Sequence, residues 1–180
     1  AGPQKEVIIP RKTIVELVKL LADSDEPVIL RVGENQVTIE LGGTTLVSKI
    51  VDGKFPDYQR AIPVGHDKML VVNRQLAGQA LQRAAILSNE KFRGVRLVMS
   101  ANSLTVVCNN NEQEEAQEEI EAKYEADPID IGFNVTYLQD GLNALSADEV
   151  TIAFSDPNSS MLLTTESEPG FKYVVMPMRI

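Results

Sequence analysis

With 180 residues, 43% of them hydrophobic and 24% charged, the chain carries enough apolar material for one or two packed domains and falls outside the disordered class. A net charge of −9 argues against a surface that grips nucleic acid everywhere, although it leaves room for a local basic stripe. The longest apolar runs, such as residues 69–72 and 173–178, are far shorter than the ~20 residues of a membrane span, and no charged-then-apolar leader opens the sequence.

In chain order, the extended triplet Val7-Ile8-Ile9 runs into Pro10, whose missing N–H suits a helix start. Residues 11–21 then place Ile14, Leu17, Val18 and Leu21 at helical spacing, one apolar stripe meant for a core. Three alternating runs follow, at 28–32, 36–41 and 44–51, separated by the hairpin signals Gly33-Glu34-Asn35 and Gly42-Gly43. The segment 54–63 contains two prolines, breaks the pattern and reads as a domain connection.

The same order of elements returns twice. Met69-Leu70-Val71-Val72 precedes a helix over about 74–87, with Asn73 as N-cap and strands at 94–99, 103–108 and 114–124 behind it. A run at 129–133 precedes a helix over about 135–145, with Asn134 as its cap and strands at 149–154, 160–165 and 171–178 behind it. Strand, helix and three strands, three times over, predicts an α+β fold of antiparallel sheets with helices on one face. The second and third units pair into a complete domain. The first stands without a partner, which leaves an unshielded sheet edge and predicts a chain lacking part of its N-terminal side, with Ala1-Gly2-Pro3 compatible with a cloning scar.

Chemistry is scarce. Cys108, flanked by Val106, Val107 and Asn109, reads as a small apolar residue in a reducing compartment, hence a cytoplasmic address. His66 lies in a turn with no second His or Cys to make a metal set, and no Gly-rich phosphate loop or nucleophile–base pair stands out, so neither catalysis, a metal nor a cofactor is expected. Glu112, Glu114, Glu115, Glu118, Glu119, Glu121 and Glu125 read as a solvated, charge-protected strand. Lys12 and Lys19 share a helix face, with Arg11 beside them, and fit either phosphate contact or solubility.

Several strings carry a resemblance: Ile9-Pro10-Arg11-Lys12-Thr13, Asp52-Gly53-Lys54-Phe55-Pro56-Asp57-Tyr58, the whole run from Arg83 to Leu97, and Tyr173-Val174-Val175-Met176-Pro177-Met178-Arg179-Ile180. With the repeat, they make almost the entire chain resemble the bacterial sliding clamp family, the DNA polymerase III beta subunits. The resemblance implies head-to-tail homodimeric rings of three-domain subunits, two repeats to a domain. It further implies that residues 1–53 are the second half of the middle domain, 54–66 the connector and 67–180 the C-terminal domain.

On the same resemblance, the expected function is a DNA-encircling processivity factor that tethers the replicative polymerase and docks partners through a hydrophobic peptide-binding groove. Double-stranded DNA would meet Arg11, Lys12 and Lys19. Clamp-binding peptides of the polymerase subunit, the clamp loader, other polymerases and repair proteins would meet Phe55, Pro56, Arg60, Ala61, Asn134, Tyr137, Ser160, Val174, Met176, Pro177, Met178 and Arg179. Ala61 stands where the family often has a larger aliphatic residue, implying a roomier sub-pocket. The dimer interface of the full-length homodimer would use Ile86 and Leu87 with Glu112, Glu114, Glu115 and Glu118, and this chain alone would be monomeric or weakly associated. The rivals are a peptide-binding scaffold without a DNA function, and a small hydrolase using carboxylates such as Asp156 and Glu166.

Overall fold

A computed structural model describes residues 5–22, 25–88, 92–110, 112 and 114–180, and the chain divides into two compact units, one ending at Asp57 and the other spanning Tyr58–Ile180. The proposed cloning scar at residues 1–3 lies outside the described residues.

Unit one contains helix α1 (Arg11–Leu21) and a sheet in the order β1 (Ile29–Val32), β2 (Gln36–Leu41), β3 (Thr44–Lys49), antiparallel throughout. Gly42 and Gly43 both have positive φ (53° and 79°), as the tight β2–β3 turn demands. One face of β2 is buried through Val37, Ile39 and Leu41. The expected strand at 7–9 does not form: Ile8 makes only an isolated bridge to Val51. Nor does the apolar stripe of α1 reach a core. Thr13 is the helix's one buried residue, its Oγ1 2.6 Å from Ser48 Oγ, whereas Ile14, Val18 and Leu21 are 41%, 60% and 38% exposed. Ile29 and Leu30 on the edge strand β1 are exposed as well.

Unit two holds two copies of the repeat. It contains β4 (Lys68–Asn73), α2 (Arg74–Ala84) with a 3₁₀ extension (Ala85–Leu87), β5 (Gly94–Ser100), β6 (Ser103–Asn109) and β7 (Glu115–Lys123). The pattern then repeats as β8 (Ile129–Asn134), α3 (Val135–Asn143), β9 (Glu149–Phe154), β10 (Met161–Thr164) and β11 (Tyr173–Val175). The eight strands form one sheet in the order β11-β10-β9-β4-β7-β6-β5-β8. Each repeat's leading strand is paired mainly by the other repeat, β4 with β9 along its whole length and β8 with β5. Both helices start at asparagine caps: Asn73 Oδ1 accepts from the Leu76 amide (3.0 Å) and Asn134 Oδ1 from the Thr136 amide (2.9 Å).

Helices and sheet enclose a single core. Ala77, Ala80, Leu81 and Ala84 of α2 and Leu138 and Leu142 of α3 join Leu70, Val95, Leu97, Val106, Ile131, Phe133, Ile152 and Leu163 of the strands. Tyr124 is buried against Phe154 and donates its hydroxyl to the Asp127 carbonyl at 2.6 Å. Ala80 is fully buried within this core. Ala80→Leu should therefore cost about 1–3 kcal/mol by overpacking, read as a lower urea midpoint at unchanged slope.

Candidate functional site

At one end of unit two, β11 hands the chain to residues 176–180. Val175 is buried in register with Met161, and Val174 pairs with Leu162. Ser160 and Met176 therefore leave the paired strands side by side. The Ser160 carbonyl lies 3.4 Å from Nε2 of His66, which joins the preceding loop to this corner. Met176 is 77% exposed, Pro177 and Met178 are half-buried, and Arg179 is exposed.

The Met178 amide donates to the Gly132 carbonyl at 2.8 Å, so the segment crosses onto β8, the opposite edge of the same sheet. Asn134, two residues along β8, caps α3 and donates from Nδ2 to the Phe92 carbonyl at 3.5 Å. Tyr137 in the first turn of α3 is exposed. Gly141 on the same helix gives room to the Tyr173 ring, which would lie 2.8 Å from a Cβ placed there. Burial, with Asp140 and Tyr137 nearby, pushes the Tyr173 phenol up from its ordinary value.

Of the twelve residues expected to bind peptide, Asn134, Tyr137, Ser160, Val174, Met176, Pro177, Met178 and Arg179 thus gather where the two sheet edges approach. Arg60 and Ala61 lie in the exposed 3₁₀ turn Tyr58–Ala61 of the same unit, while exposed Phe55 and Pro56 belong to unit one. His66 and Gly132 are contributors that sequence reasoning passed over. No signal short of strand register marks either one.

The other expected residues fall on two surfaces. Arg11, Lys12 and Lys19 are exposed on α1, with Lys19 Nζ 3.0 Å from Glu16 Oε1. In unit two, an open groove between α2 and α3 is lined by Arg74, Gln79, Gln82, Arg93, Gln139 and Asn143. This amide-rich face had a legible signal, because Gln75, Gln79 and Gln82 recur at helical spacing opposite the alanine stripe.

Ile86 is 79% exposed and Leu87 half-buried. Beside them, β7 pairs with β6 from Glu115 to Glu121 but meets β4 only at Ala122 and Lys123, which leaves much of its second side open. Glu112 and Glu114 lie in the β6–β7 turn, their amides donating to Asn110 Oδ1, and Glu115 is exposed. Glu118 is already engaged within the chain: Arg83 binds its carboxylate through two hydrogen bonds of 2.8 Å. Asp156 and Glu166, the carboxylates of the hydrolase alternative, lie beyond opposite ends of β10. Asp156 serves its own turn, accepting from the Asn158 amide and the Ser159 hydroxyl. No cluster of three or more metal-ligating side chains occurs among the described residues, and no helix among them is long and apolar enough to cross a membrane.

Two interlocked strand-helix-three-strand repeats sharing one sheet and one core, with both helices on the same side, define a DNA-clamp domain. Residues 59–179 match the family described as DNA polymerase III beta subunit, C-terminal domain, and residues 1–57 match its central domain. The chain belongs to the DNA polymerase III beta subunit family. It is 48% identical over 175 residues to the beta sliding clamp of Pseudomonas putida, covering 97% of this chain and 48% of that protein. To the Escherichia coli beta sliding clamp it is 45% identical over 178 residues, covering 99% and 49%. The crystal structure of the Pseudomonas aeruginosa subunit superposes with a TM-score of 0.91 at 45% identity, covering 99% of this chain and 50% of that one. A P. aeruginosa sliding clamp bound to griselimycin superposes equally well, with a TM-score of 0.91 at 46% identity, covering 99% of this chain and 48% of that one. The chain thus spans about half the length of the relatives it matches.

Two measurements follow from the local geometry. Asn134→Ala should cost about 1 kcal/mol through the lost cap of α3, whereas Asn134→Asp, which keeps the accepting oxygen, should unfold close to the parent in urea. The hydrogen bonds from Arg83 hold Glu118 below the usual carboxylate range, so the stability it contributes is present above its unfolded-state value and lost as pH falls through the folded one. A carbon-13 NMR titration should find Glu118 protonating below the usual carboxylate range, and Arg83→Ala should return it to that range.

Proposed function

We propose that the chain is the middle-to-C-terminal part of a ring that encircles double-stranded DNA, tethers a polymerase to its template and catalyses no reaction of its own. Residues 54–66 serve as the connector between its two domains. What supports this reading is the succession of two units matching the two clamp domains in order, together with the exposed apolar corner around Met176.

A sliding ring needs weak contacts with phosphates, and the helix faces suit that need. Arg11, Lys12 and Lys19 on α1 and the amides between α2 and α3 offer scattered donors and few fixed cations. Retention on DNA comes from closure rather than affinity, which is compatible with a net charge of −9.

The corner built from Tyr137, Ser160, Val174 and residues 176–179 docks partner peptides, those of the polymerase, clamp loader and repair proteins among them. Methionine is polarizable and rotamer-rich, so Met176 and Met178 accommodate several related apolar side chains. The exposed Ile86 and the open side of β7 form the subunit contact of a homodimer, in which like charges disfavour self-pairing and Glu112, Glu114 and Glu115 attract a basic partner face. The cell compartment that goes with this role is the cytoplasm.

Griselimycin, the ligand named in the P. aeruginosa complex, tests the docking corner directly. Calorimetry should find that the chain binds it and that Met176→Ala weakens binding by roughly tenfold, the loss of about 1.4 kcal/mol usual for an interface anchor. For the ring, replacing Lys12 and Lys19 by glutamate in a full-length assembly carrying both units should shorten its residence on circular DNA in a salt-dependent way. Unchanged residence at low salt would rule out the α1 contact, and unchanged griselimycin affinity in Met176→Ala would rule out the corner.

A further inference from the structure

We propose that Ile180 and the glycine pair Gly94 and Gly132 form a latch that sets the position of Met176, making Ile180 a positioning residue for the docking corner although it is no part of the peptide-contacting set. The inference rests on the reading of residues 174–179 as a docking wall.

Gly132 on β8 stands opposite Arg96, and Gly94 on β5 opposite Asn134, so the two glycines are diagonal neighbours on one face of the sheet. That face points away from the core, since the intervening Val95, Ile131 and Phe133 are the buried ones. The two missing side chains leave a notch bordered on one side by the Arg96–Asp130 ion pair (3.0 Å).

Ile180 lies over the notch. A Cβ at Gly132 would stand 2.9 Å from both Cδ1 and Cγ1 of Ile180, and one at Gly94 would stand 3.0 Å from Cδ1 and 3.3 Å from Cγ1. The Gly132 Cβ would also run into the Met178 carbonyl oxygen, well inside the 3.0 Å that real Cβ atoms keep. Neither glycine has a positive φ, so what these positions require is space and not an unusual backbone.

The chain is therefore held at two places. Val175 is locked into β11 on one sheet edge, and Met178 is hydrogen-bonded to β8 on the other, with Ile180 seated just beyond it. Only Met176 and Pro177 lie between these points, and proline has a fixed φ. A 77% exposed methionine would otherwise sample many positions, and the latch narrows them before any ligand arrives.

Three variants test this: Ile180→Ala, Ile180→Leu as the conservative rescue, and Gly132→Ala. Hydrogen exchange read by NMR should show the Met178 amide exchanging at least about tenfold faster in Ile180→Ala and Gly132→Ala, while the amides of β4 and β9 keep the parent rates. Griselimycin affinity should fall by about three- to tenfold in both, and Ile180→Leu should restore most of each property. Met178 exchange unchanged in Ile180→Ala overturns the latch. Affinity lost without faster exchange also overturns it, because Ile180 would then be a direct ligand contact, and so does faster exchange with full affinity. Failure of the parent chain to bind griselimycin at all would reject the docking reading instead, and the exchange rates would still decide whether Ile180 holds the segment.

Discussion

The leading strand of each repeat finds most of its hydrogen-bonding partners in the other repeat: β4 lies along β9, and β8 lies along β5. A backbone strand that cannot pair must stay solvated, so this exchange ties the existence of each repeat's first element to the presence of its twin. Unit one makes the dependence visible. Its leading segment 7–9 keeps a single bridge, the counterpart of the short β4–β7 pairing, and does not become a strand.

The same dependence governs the helices. In unit two, α2 and α3 pack together over a shared sheet and bury alanine and leucine between them. In unit one, a helix of the same design leaves Ile14, Val18 and Leu21 in solvent and engages its sheet through Thr13 and Ser48. An amphipathic helix buries its stripe only when a second apolar surface meets it, and the repeat supplies just one layer.

Exchange of strands also creates the exposed corner around Met176. An eight-stranded sheet has two edges, here β11 and β8, and the sheet curls until residues 176–180 leave one and reach the other. Edge strands are usually protected by charge, by brevity or by cover. β11 is three residues long, β8 is partly covered by Met178, and the open side of β7 carries glutamates. Apolar side chains are left exposed where the first two edges meet, and charge is left where the third is open.

Much of this was legible from periodicity alone. The stripes of α2 and α3, the asparagine caps, the glycine turn at 42–43 and the alternation of the strands are local properties, written within a few residues of where they act. The strings around Phe55, Arg83 and Met176 carried the family as well, because they belong to long ordered runs. What no local pattern holds is which strand pairs with which, since that depends on residues far apart in the chain. Tertiary structure alone decided that Glu118 is bound by Arg83, that His66 meets Ser160, that the stripe of α1 stays in solvent and that Gly132 lies under Met178. Sequence by itself determined the elements and the family, because hydrophobic spacing and turn chemistry act over one turn or one hairpin. The corner around Met176 was left to tertiary structure because it forms where two distant sheet edges close on each other.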